Sequence, residues 1–283
     1  LFQCHFLRLP LPLSDYYTDT KSVFDQAIRI LQAMIDVTSD AGWLQTALNT
    51  MNLMQMIMQG RMITDSSLLT LPHVKRDNLR YLEKQNVSIL PQLMDLCSRD
   101  KGRARKILAG SGISARKVDQ TIDLCLRLPS IDAKATVETT KGDAKNKTVH
   151  VTLKRVGPKC GSKAPKSYTP RFPKVKEEGW WIVIGDSAND ELLALRRISF
   201  GDRASVKLKC PPSSSPSART PKLVFYLMSD SYIGLDQEIS LNSKSFVEVS
   251  DDEFDDDDDT FWILPPREIE PFWLGEGENA ILT

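Results

Sequence analysis

The sequence predicts an α+β fold that contains a helical bundle, a helix–loop–helix and an antiparallel β-sandwich, in that order. Apolar residues recur at steps of three and four up to about residue 129, which is typical of helices. From Ile131 onward the pattern changes to alternation between apolar and polar residues, which is typical of half-buried strands. Charge is also uneven, and it separates a neutral, a basic and an acidic part of the chain.

Residues 1–88 are predicted to form the helical bundle. Its first long helix covers about residues 19–39, and Thr18 or Asp19 can cap the first turn through a side-chain oxygen. The core face of this helix is predicted to carry Phe24, Ala27, Ile28, Leu31, Met34, Ile35 and Thr38. Further helices are predicted over residues 43–59, 66–71 and 75–85, with glycine stops at Gly42 and Gly60.

Residues 89–129 are predicted to form a helix–loop–helix with a basic entrance. A helix over residues 91–97 leads into a segment dense in lysine and arginine. The break at 110–112 (Gly-Ser-Gly) separates this segment from a last helix, which Ser114 can cap and Pro129 ends.

Residues 130–247 are predicted to form the sandwich. The predicted strands cover residues 131–139, 148–153, 179–185, 191–199, 204–210, 221–229 and 236–242. Seven short strands separated by turn residues indicate an antiparallel sandwich of immunoglobulin-like type. Trp180 and Trp181 have opposite parity, so we expect one in the core and the other exposed, where it could anchor a partner. Arg171 and Phe172, between two prolines, are expected to brace a loop against the helical part.

The net charge of zero conceals a strong asymmetry. Residues 251–283 contain twelve acids and one base, whereas residues 99–250 contain 28 bases and 16 acids. Residues 1–98 are close to neutral, with eight bases and nine acids. A basic middle part predicts contact with a polyanion, for which single-stranded RNA or DNA is the candidate. Residues 248–283 are predicted to be a disordered acidic tail that contains aromatic residues.

Several chemistries lack a sequence signature. There is no phosphate-binding G-x-x-x-x-G-K-S/T loop, no H-E-x-x-H and no G-x-S-x-G, so we predict no catalytic residue, metal or cofactor in this chain. Five cysteines lie far apart, which favours a reducing intracellular location, nuclear and cytoplasmic, over a disulfide framework. No apolar run is long enough to suggest a membrane partner. Because the sequence starts at Leu1 rather than Met, we expect it to be part of a longer protein.

Two groups of residues are candidates for nucleic-acid binding. A polar stripe opposite the core of the first long helix contains Gln26, Arg29 and Gln32, and its alternative is an ordinary solvated helix face. The basic entrance contains Arg99, Lys101, Arg103, Arg105 and Lys106, followed by Arg116 and Lys117, and its alternative is a solvated basic surface.

The tail supplies a third group of candidates. Its aromatic residues, Phe261, Trp262, Phe272 and Trp273, could anchor a protein partner while the aspartates steer the encounter. The alternatives are a tail that covers the basic part as a polyanion mimic and a tail that only solubilises the chain.

Many segments resemble the Sec63 homology unit that ends each helicase cassette of the large Ski2-like helicases. The resemblance begins with Leu1–Arg8 (LFQCHFLR), Gln32–Val37 (QAMIDV) and Gly42–Leu44 (GWL). It continues through Asp65–Pro72 (DSSLLTLP), Thr169–Lys174 (TPRFPK), Met228–Asp230 (MSD) and Tyr232–Gln237 (YIGLDQ). Within the family, the segments 65–72 and 169–173 most resemble the helicase subunit of the activating signal cointegrator complex, followed by the spliceosomal Brr2 helicase.

The resemblance implies a non-catalytic strand-guiding and docking unit of an ATP-dependent 3′-to-5′ RNA or DNA helicase. It implies that ATP and magnesium belong to motor domains elsewhere in the parent chain. The implied partners are those motor domains and other subunits of a cointegrator-type complex. Alkylation-damage repair, rescue of collided ribosomes and transcriptional coactivation are the implied cellular roles. The alternative is a protein-interaction scaffold, Brr2-like or other, that makes no direct contact with a strand.

Overall fold

The computed structural model describes residues 1–140, 147–211 and 220–241, together with the backbone of 246–249. In this part of the chain the helices come first. They are α1 (Phe2–Leu7), α2 (Tyr16–Asp40), α3 (Leu44–Gln59), a 3-10 helix (Ser67–Thr70), α4 (Arg76–Lys84), α5 (Leu90–Arg99), α6 (Lys101–Gly110) and α7 (Ala115–Cys125). The strands follow as β1 (Ser130–Thr140), β2 (Lys147–Val156), β3 (Trp180–Asp186), β4 (Glu191–Ile198), β5 (Arg203–Cys210), β6 (Leu223–Ser229), β7 (Gln237–Ser240) and β8 (Phe246–Val249). The predicted α+β class is confirmed.

The strands form two sheets of four. One has the order β5-β2-β1-β8 and the other β4-β3-β6-β7. All neighbouring pairs are antiparallel except β1 and β8, which run parallel. The prediction of a wholly antiparallel sandwich is therefore wrong for this one pair, and β8 itself was not predicted. Strand β7 belongs to one sheet, whereas β8 pairs with β1 in the other. No tight hairpin therefore joins β8 to the strand it pairs with, and the pair is free to be parallel.

Helix α2 begins one turn earlier than predicted. Asp15 occupies the N-cap position without a side-chain cap, and the Thr20 hydroxyl donates to the carbonyl of Tyr16 at 2.6 Å. Thr18 and Asp19 therefore lie inside the first turn, and the prediction that one of them is the cap is wrong. Asp19 still favours the helix start, because its negative charge complements the positive end of the helix dipole.

The predicted glycine stops are confirmed. Gly42 and Gly60 have φ values of 73° and 56°, the left-handed region in which a side chain is strained. At Gly60 an added Cβ would also meet the ring of His5 at 3.1 Å and Cβ of Arg171 at 3.2 Å. Glycine at this position thus both ends α3 and allows the opening segment and the β2–β3 connection to meet beside it.

The bundle and the sandwich share their cores. In one core, Phe24, Leu31 and Ile35 of α2 and the inner face of α3 pack against the outer face of β3, β4 and β6. In the other, helices α4 to α7 join the interior between the two sheets. All seven residues of β3 are buried, because helices cover one face of the strand and the second sheet covers the other.

The two tryptophans show this arrangement directly. Trp180 is 1% exposed and faces the interior of the sandwich, whereas Trp181 is 2% exposed and faces the bundle. Opposite parity was predicted correctly, but the expected exposed partner-binding tryptophan is wrong, since the bundle covers the second face. The bracing expected of residues 171–172 is confirmed for Phe172, whose ring lies parallel to that of Phe24 at 6.4 Å between centroids.

Candidate nucleic-acid interface

The polar stripe of α2 winds around the helix. Gln26 and Arg29 are exposed, whereas Gln32 is half-buried. Three residues make about 60° less than a full turn of helix, so each successive side chain of the stripe points about 60° away from the one before it. The stripe therefore starts opposite the core and ends at its flank. Gln26 and Arg29 are accessible to a strand, and Gln32 is accessible only at its edge.

An apolar flank runs beside the stripe and was missed in the sequence. Ile30, Met34 and Val37 are 59%, 44% and 63% exposed. The placement of Met34 in the core is wrong: it precedes the buried Ile35 by one residue, which rotates it by about 100° away from the core direction. An uncovered apolar row on a long helix is the signal that could have identified this surface.

The basic arm comprises α6, the turn after it and α7. Asp100 caps α6, its carboxylate accepting from the backbone N–H of Arg103 at 2.8 Å. Ser111 and Gly112 follow α6, and Gly112 has a φ of 94°. Ser114 occupies the predicted N-cap position of α7, but its hydroxyl makes no cap hydrogen bond.

Three of the predicted basic residues face acids. Arg99 lies 2.7 Å from Asp95, and Lys101 lies 3.7 Å from Asp123. Arg105 donates through Nε to Asp119 at 3.0 Å. All three pairs are exposed, so each contributes only about 0–1 kcal/mol to stability. Their main effect is to offset positive charge on this surface.

The other four predicted basic residues of the arm are uncompensated. Arg103, Lys106, Arg116 and Lys117 are exposed, and none has an acidic partner among the residues that the structure describes. Arg116 and Lys117 also lie in the first turn of α7, where a cation is disfavoured by the helix dipole and a bound anion would be favoured. These four residues form the strongest candidate contact with phosphates.

The stripe and the arm belong to different cores. Helix α2 packs against α3 and β4, whereas α6 packs against α4, α5 and α7. The structure thus presents two separate polar surfaces. The predicted aromatic anchors Phe261, Trp262, Phe272 and Trp273 lie outside the described residues.

A buried polar clamp, formed by Gln55 and Gln59 of α3, joins the bundle to the sandwich, and no sequence pattern predicted it. Gln55 of α3 donates to the carbonyl of Ser229 at 2.8 Å and to the carboxylate of Asp236 at 2.9 Å. One helical turn later, Gln59 donates to the carbonyl of Ser231 at 2.6 Å. Burial raises the pKa of Asp236 to about 6. The turn between β6 and β7 is thereby held by two amides of α3.

Two ion-pair clusters stabilise the far side of this turn. The fully buried carboxylate of Asp230 lies 2.7 Å from Nζ of Lys176 and accepts a hydrogen bond from Arg197 at 2.9 Å. Arg155 lies 2.7 Å from Glu178, with both side chains buried. Burial raises the pKa of Glu178, and the neighbouring Arg155 partly opposes that rise. These groups are paired with one another, which is typical of structural rather than catalytic residues.

Two further kinds of feature are absent from the described residues, a metal-binding cluster and a membrane-spanning helix. No group of three or more His, Cys, Asp or Glu side chains is positioned for a metal ion in the described ranges. Of the helices the structure describes, none combines the length and apolar character needed to cross a membrane.

The fold is of the α+β class, and its helical bundle covers the outer face of one sheet of a two-sheet sandwich. A family model described as the Sec63 Brl domain matches residues 1–242. The chain therefore belongs to the Sec63 Brl domain family, and the resemblance read from its motifs is confirmed.

Relatives from three organisms support this assignment. An Arabidopsis thaliana protein, DExH-box ATP-dependent RNA helicase DExH14, is 39% identical over 85% of this chain and 11% of its own length. Human Activating signal cointegrator 1 complex subunit 3 is 34% identical over 85% of this chain and 13% of its own length. A Dictyostelium discoideum protein described as Activating signal cointegrator 1 complex subunit 3-like is 33% identical, over 86% of this chain and 11% of its own length. The chain thus spans about an eighth of these proteins.

Proposed function

We propose that this chain is the non-catalytic strand-guiding and partner-docking unit of an ATP-dependent 3′-to-5′ RNA or DNA helicase. The observation that carries the proposal is the set of four uncompensated cations on the basic arm, Arg103, Lys106, Arg116 and Lys117, in a member of a family whose relatives are described as helicases. Each phosphate that such a cation neutralises releases counterions and adds affinity.

The stripe on α2 would supply the second contact. Gln26 and Arg29 can donate to phosphates or base edges without reading sequence, which suits a motor that must hold any strand between steps. In this proposal ATP hydrolysis and magnesium belong to motor domains elsewhere in the parent chain, as the Arabidopsis relative's description as an ATP-dependent helicase suggests. Nuclear and cytoplasmic location is a proposal that rests on the five separated cysteines and on the resemblance. Roles in alkylation repair, rescue of collided ribosomes or coactivation are proposals that rest on the resemblance alone.

The strand connectivity supports an immunoglobulin-like assignment as part of this proposal. With β1, β2, β3, β4, β5, β6 and β7 taken in order, the sheets read 5-2-1 and 4-3-6-7. In the immunoglobulin fold the first, second and fifth strands also share one sheet, and the third strand pairs with the sixth in the other sheet. We therefore propose a sandwich of that type, extended by the parallel strand β8.

Strand binding can be tested by fluorescence anisotropy of short single-stranded RNA and DNA with the 283-residue chain across a range of salt concentrations. We expect binding that weakens steeply with salt. A variant with four substitutions should lower affinity at least about tenfold at low salt. Its substitutions are Arg103→Gln, Lys106→Gln, Arg116→Gln and Lys117→Gln.

A matched variant controls for total charge. Lys154→Gln, Arg203→Gln, Lys207→Gln and Lys209→Gln remove four exposed cations from β2 and β5 and should leave affinity nearly unchanged. Equal losses in the two variants, or the absence of binding to either nucleic acid in dilute buffer, would rule out strand guiding by the arm.

The second candidate is a protein-interaction scaffold without strand contact, and the apolar flank of α2 favours it. Ile30, Met34 and Val37 form an exposed apolar row of the kind that protein interfaces cover. The acidic tail with Phe261, Trp262, Phe272 and Trp273 would act as a further docking segment. A variant with asparagine in place of Asp255–Asp259 tests whether the tail instead competes with RNA, in which case RNA affinity rises.

A further inference from the structure

Two adjoining cavities lie apart from the basic arm, where α1, the end of α3 and the β2–β3 connection meet. Their volumes are about 330 and 290 Å³. Arg8, Arg61 and Lys75 line both of them, while Arg76 lines the first and Arg171 the second. A space of this size accommodates a phosphate group with its first hydration shell.

Positive charge dominates the walls. Asp65 is the one acidic residue among those that line the two cavities, and it pairs with Arg76 at 2.7 Å. Arg8, Arg61, Lys75 and Arg171 have no carboxylate partner in the described part of the chain. Four cations without an ion-pair partner thus converge on a space whose one carboxylate, that of Asp65, is already paired with Arg76.

Arg61 gives the cavities a buried charge. It is 7% exposed, and its guanidinium donates to the carbonyl of Leu69. Its buried Nε lacks a hydrogen-bond partner among the described residues. Burial and the nearby charge of Arg8 lower the pKa of Arg61 to about 10, so it is still protonated at neutral pH. Asp65 partly stabilises this charge from a distance, but no carboxylate pairs with Arg61 directly in the described part of the chain. A buried cation without a paired anion is costly, and a bound oxyanion would offset that cost.

The walls are held in place before any ligand arrives. Arg8 donates to the carbonyls of Gly60 at 3.1 Å and Gln59 at 3.3 Å, which fixes its backbone segment against the end of α3. The close approach of His5 and Arg171 to Gly60 fixes the β2–β3 connection at the same point. The side chain of Arg8 and the backbone beside Arg171 therefore need little reordering when an anion binds.

We propose that these cavities form a binding site for a phosphate oxyanion. Arginine suits this role because its planar guanidinium presents paired donors that match two oxygens of a phosphate. The phosphate could belong to a free polyphosphate compound or to a backbone phosphodiester of a bound strand. The cations of the site differ from those of the basic arm, so the site can exist whether or not the arm guides a strand.

Isothermal titration calorimetry with sodium tripolyphosphate, at fixed ionic strength and with the 283-residue chain, tests the site. We expect saturable binding of one tripolyphosphate. The double variant Lys75→Gln/Arg171→Gln, which changes two exposed side chains, should raise Kd about tenfold or more. The control Arg203→Gln/Lys207→Gln removes the same charge from β5 and should change Kd less than about twofold.

The proposal is overturned if no saturable heat is observed, or if both double variants lose affinity equally. Should the double variant fold poorly by circular dichroism, Lys75→Gln alone keeps the test, with an expected rise in Kd of about threefold. Competition then separates the sources. Displacement of tripolyphosphate by a short single strand assigns the site to a strand phosphate, and retention of tripolyphosphate assigns it to a free phosphate compound.

Discussion

The side-chain amide of Gln55, on α3, lies 2.9 Å from one carboxylate oxygen of Asp236 and 3.0 Å from the other. The same carboxylate accepts the backbone N–H of Ser229 at 2.7 Å. One buried side chain of the bundle thereby satisfies the turn that links two strands of the sandwich. A hydrogen bond between these distant segments makes the stability of the bundle depend on that of the sheet.

Removing the amide should destabilise the whole chain. We expect Gln55→Ala to lower the free energy of unfolding by about 2–4 kcal/mol, because Asp236 and the carbonyl of Ser229 lose a buried donor. Urea denaturation followed by circular dichroism measures it. Gln45→Ala, which removes an exposed side chain from the same helix, should cost less than about 0.5 kcal/mol. Similar costs for the two variants would contradict the role of the clamp.

Asp236 should also give stability a defined pH dependence. Burial raises its folded pKa from 3.8 to about 6, so the folded state binds its proton more tightly than the unfolded state. The resulting stabilisation is complete below about pH 4 and is lost as the pH rises through 6, by up to about 3 kcal/mol. Asp236→Asn cannot titrate. The difference in unfolding free energy between the two proteins should therefore change between pH 4 and 7 and be constant above it.

The Arg155–Glu178 pair should behave as a unit. Arg155→Met is expected to lower stability by about 3–5 kcal/mol, since it leaves the carboxylate of Glu178 buried without its cation. Glu178→Gln in the same chain should recover part of the loss, because the uncompensated charge is then absent. A double-mutant cycle by urea denaturation measures the coupling. Additive effects would show that the two side chains act independently.

Trp181 should act as a core residue and not as a surface anchor. Trp181→Ala is expected to cost about 3–5 kcal/mol of stability, because the indole fills the contact between β3 and the bundle. Trp43, which is 55% exposed, provides the comparison, and Trp43→Ala should cost no more than about 1 kcal/mol. Thermal unfolding by calorimetry ranks the two. A mild effect at Trp181 would mean that the bundle does not cover this face.

The salt dependence of RNA binding should separate paired from unpaired cations of the arm. Arg103→Gln removes a cation without an acidic partner, so the slope of log affinity against log salt should decrease by about 0.7. Arg105→Gln removes a cation that already pairs with Asp119, so the slope should change by less than half as much. Anisotropy titrations of each variant at several salt concentrations measure both slopes. Equal changes would show that the ion pair opens when RNA binds.

Local sequence patterns predicted where most elements lie. The bounds of α3 and β3 agree with prediction within one residue, because apolar period, glycine stops and β-branched or aromatic content are local signals. The patterns could not show that Trp181 is covered, since a strand buried on both faces loses the alternation that marks its orientation. They also could not show the contact of Gln55 with Asp236, which are 181 residues apart.

The sequence predicted which basic residues belong to the arm, but it did not predict which of them are neutralised by a neighbouring acid. The basic residues of the arm are evident in the sequence, yet their neutralisation depends on which face of α7 carries Asp119 and Asp123. The cationic cavities were missed because Arg8, Arg61 and Arg171 come from three distant segments that meet only in the fold. Spacing along a chain carries no information about such a meeting.

Burial of β3 on both faces has a kinetic consequence. Its backbone amide protons can exchange with deuterated solvent only after the helices on one side or the sheet on the other have separated from it. The slowest-exchanging amides of the bundle and of the sandwich should therefore share one opening rate, and a protease that cuts between residues 129 and 130 should release no stable half.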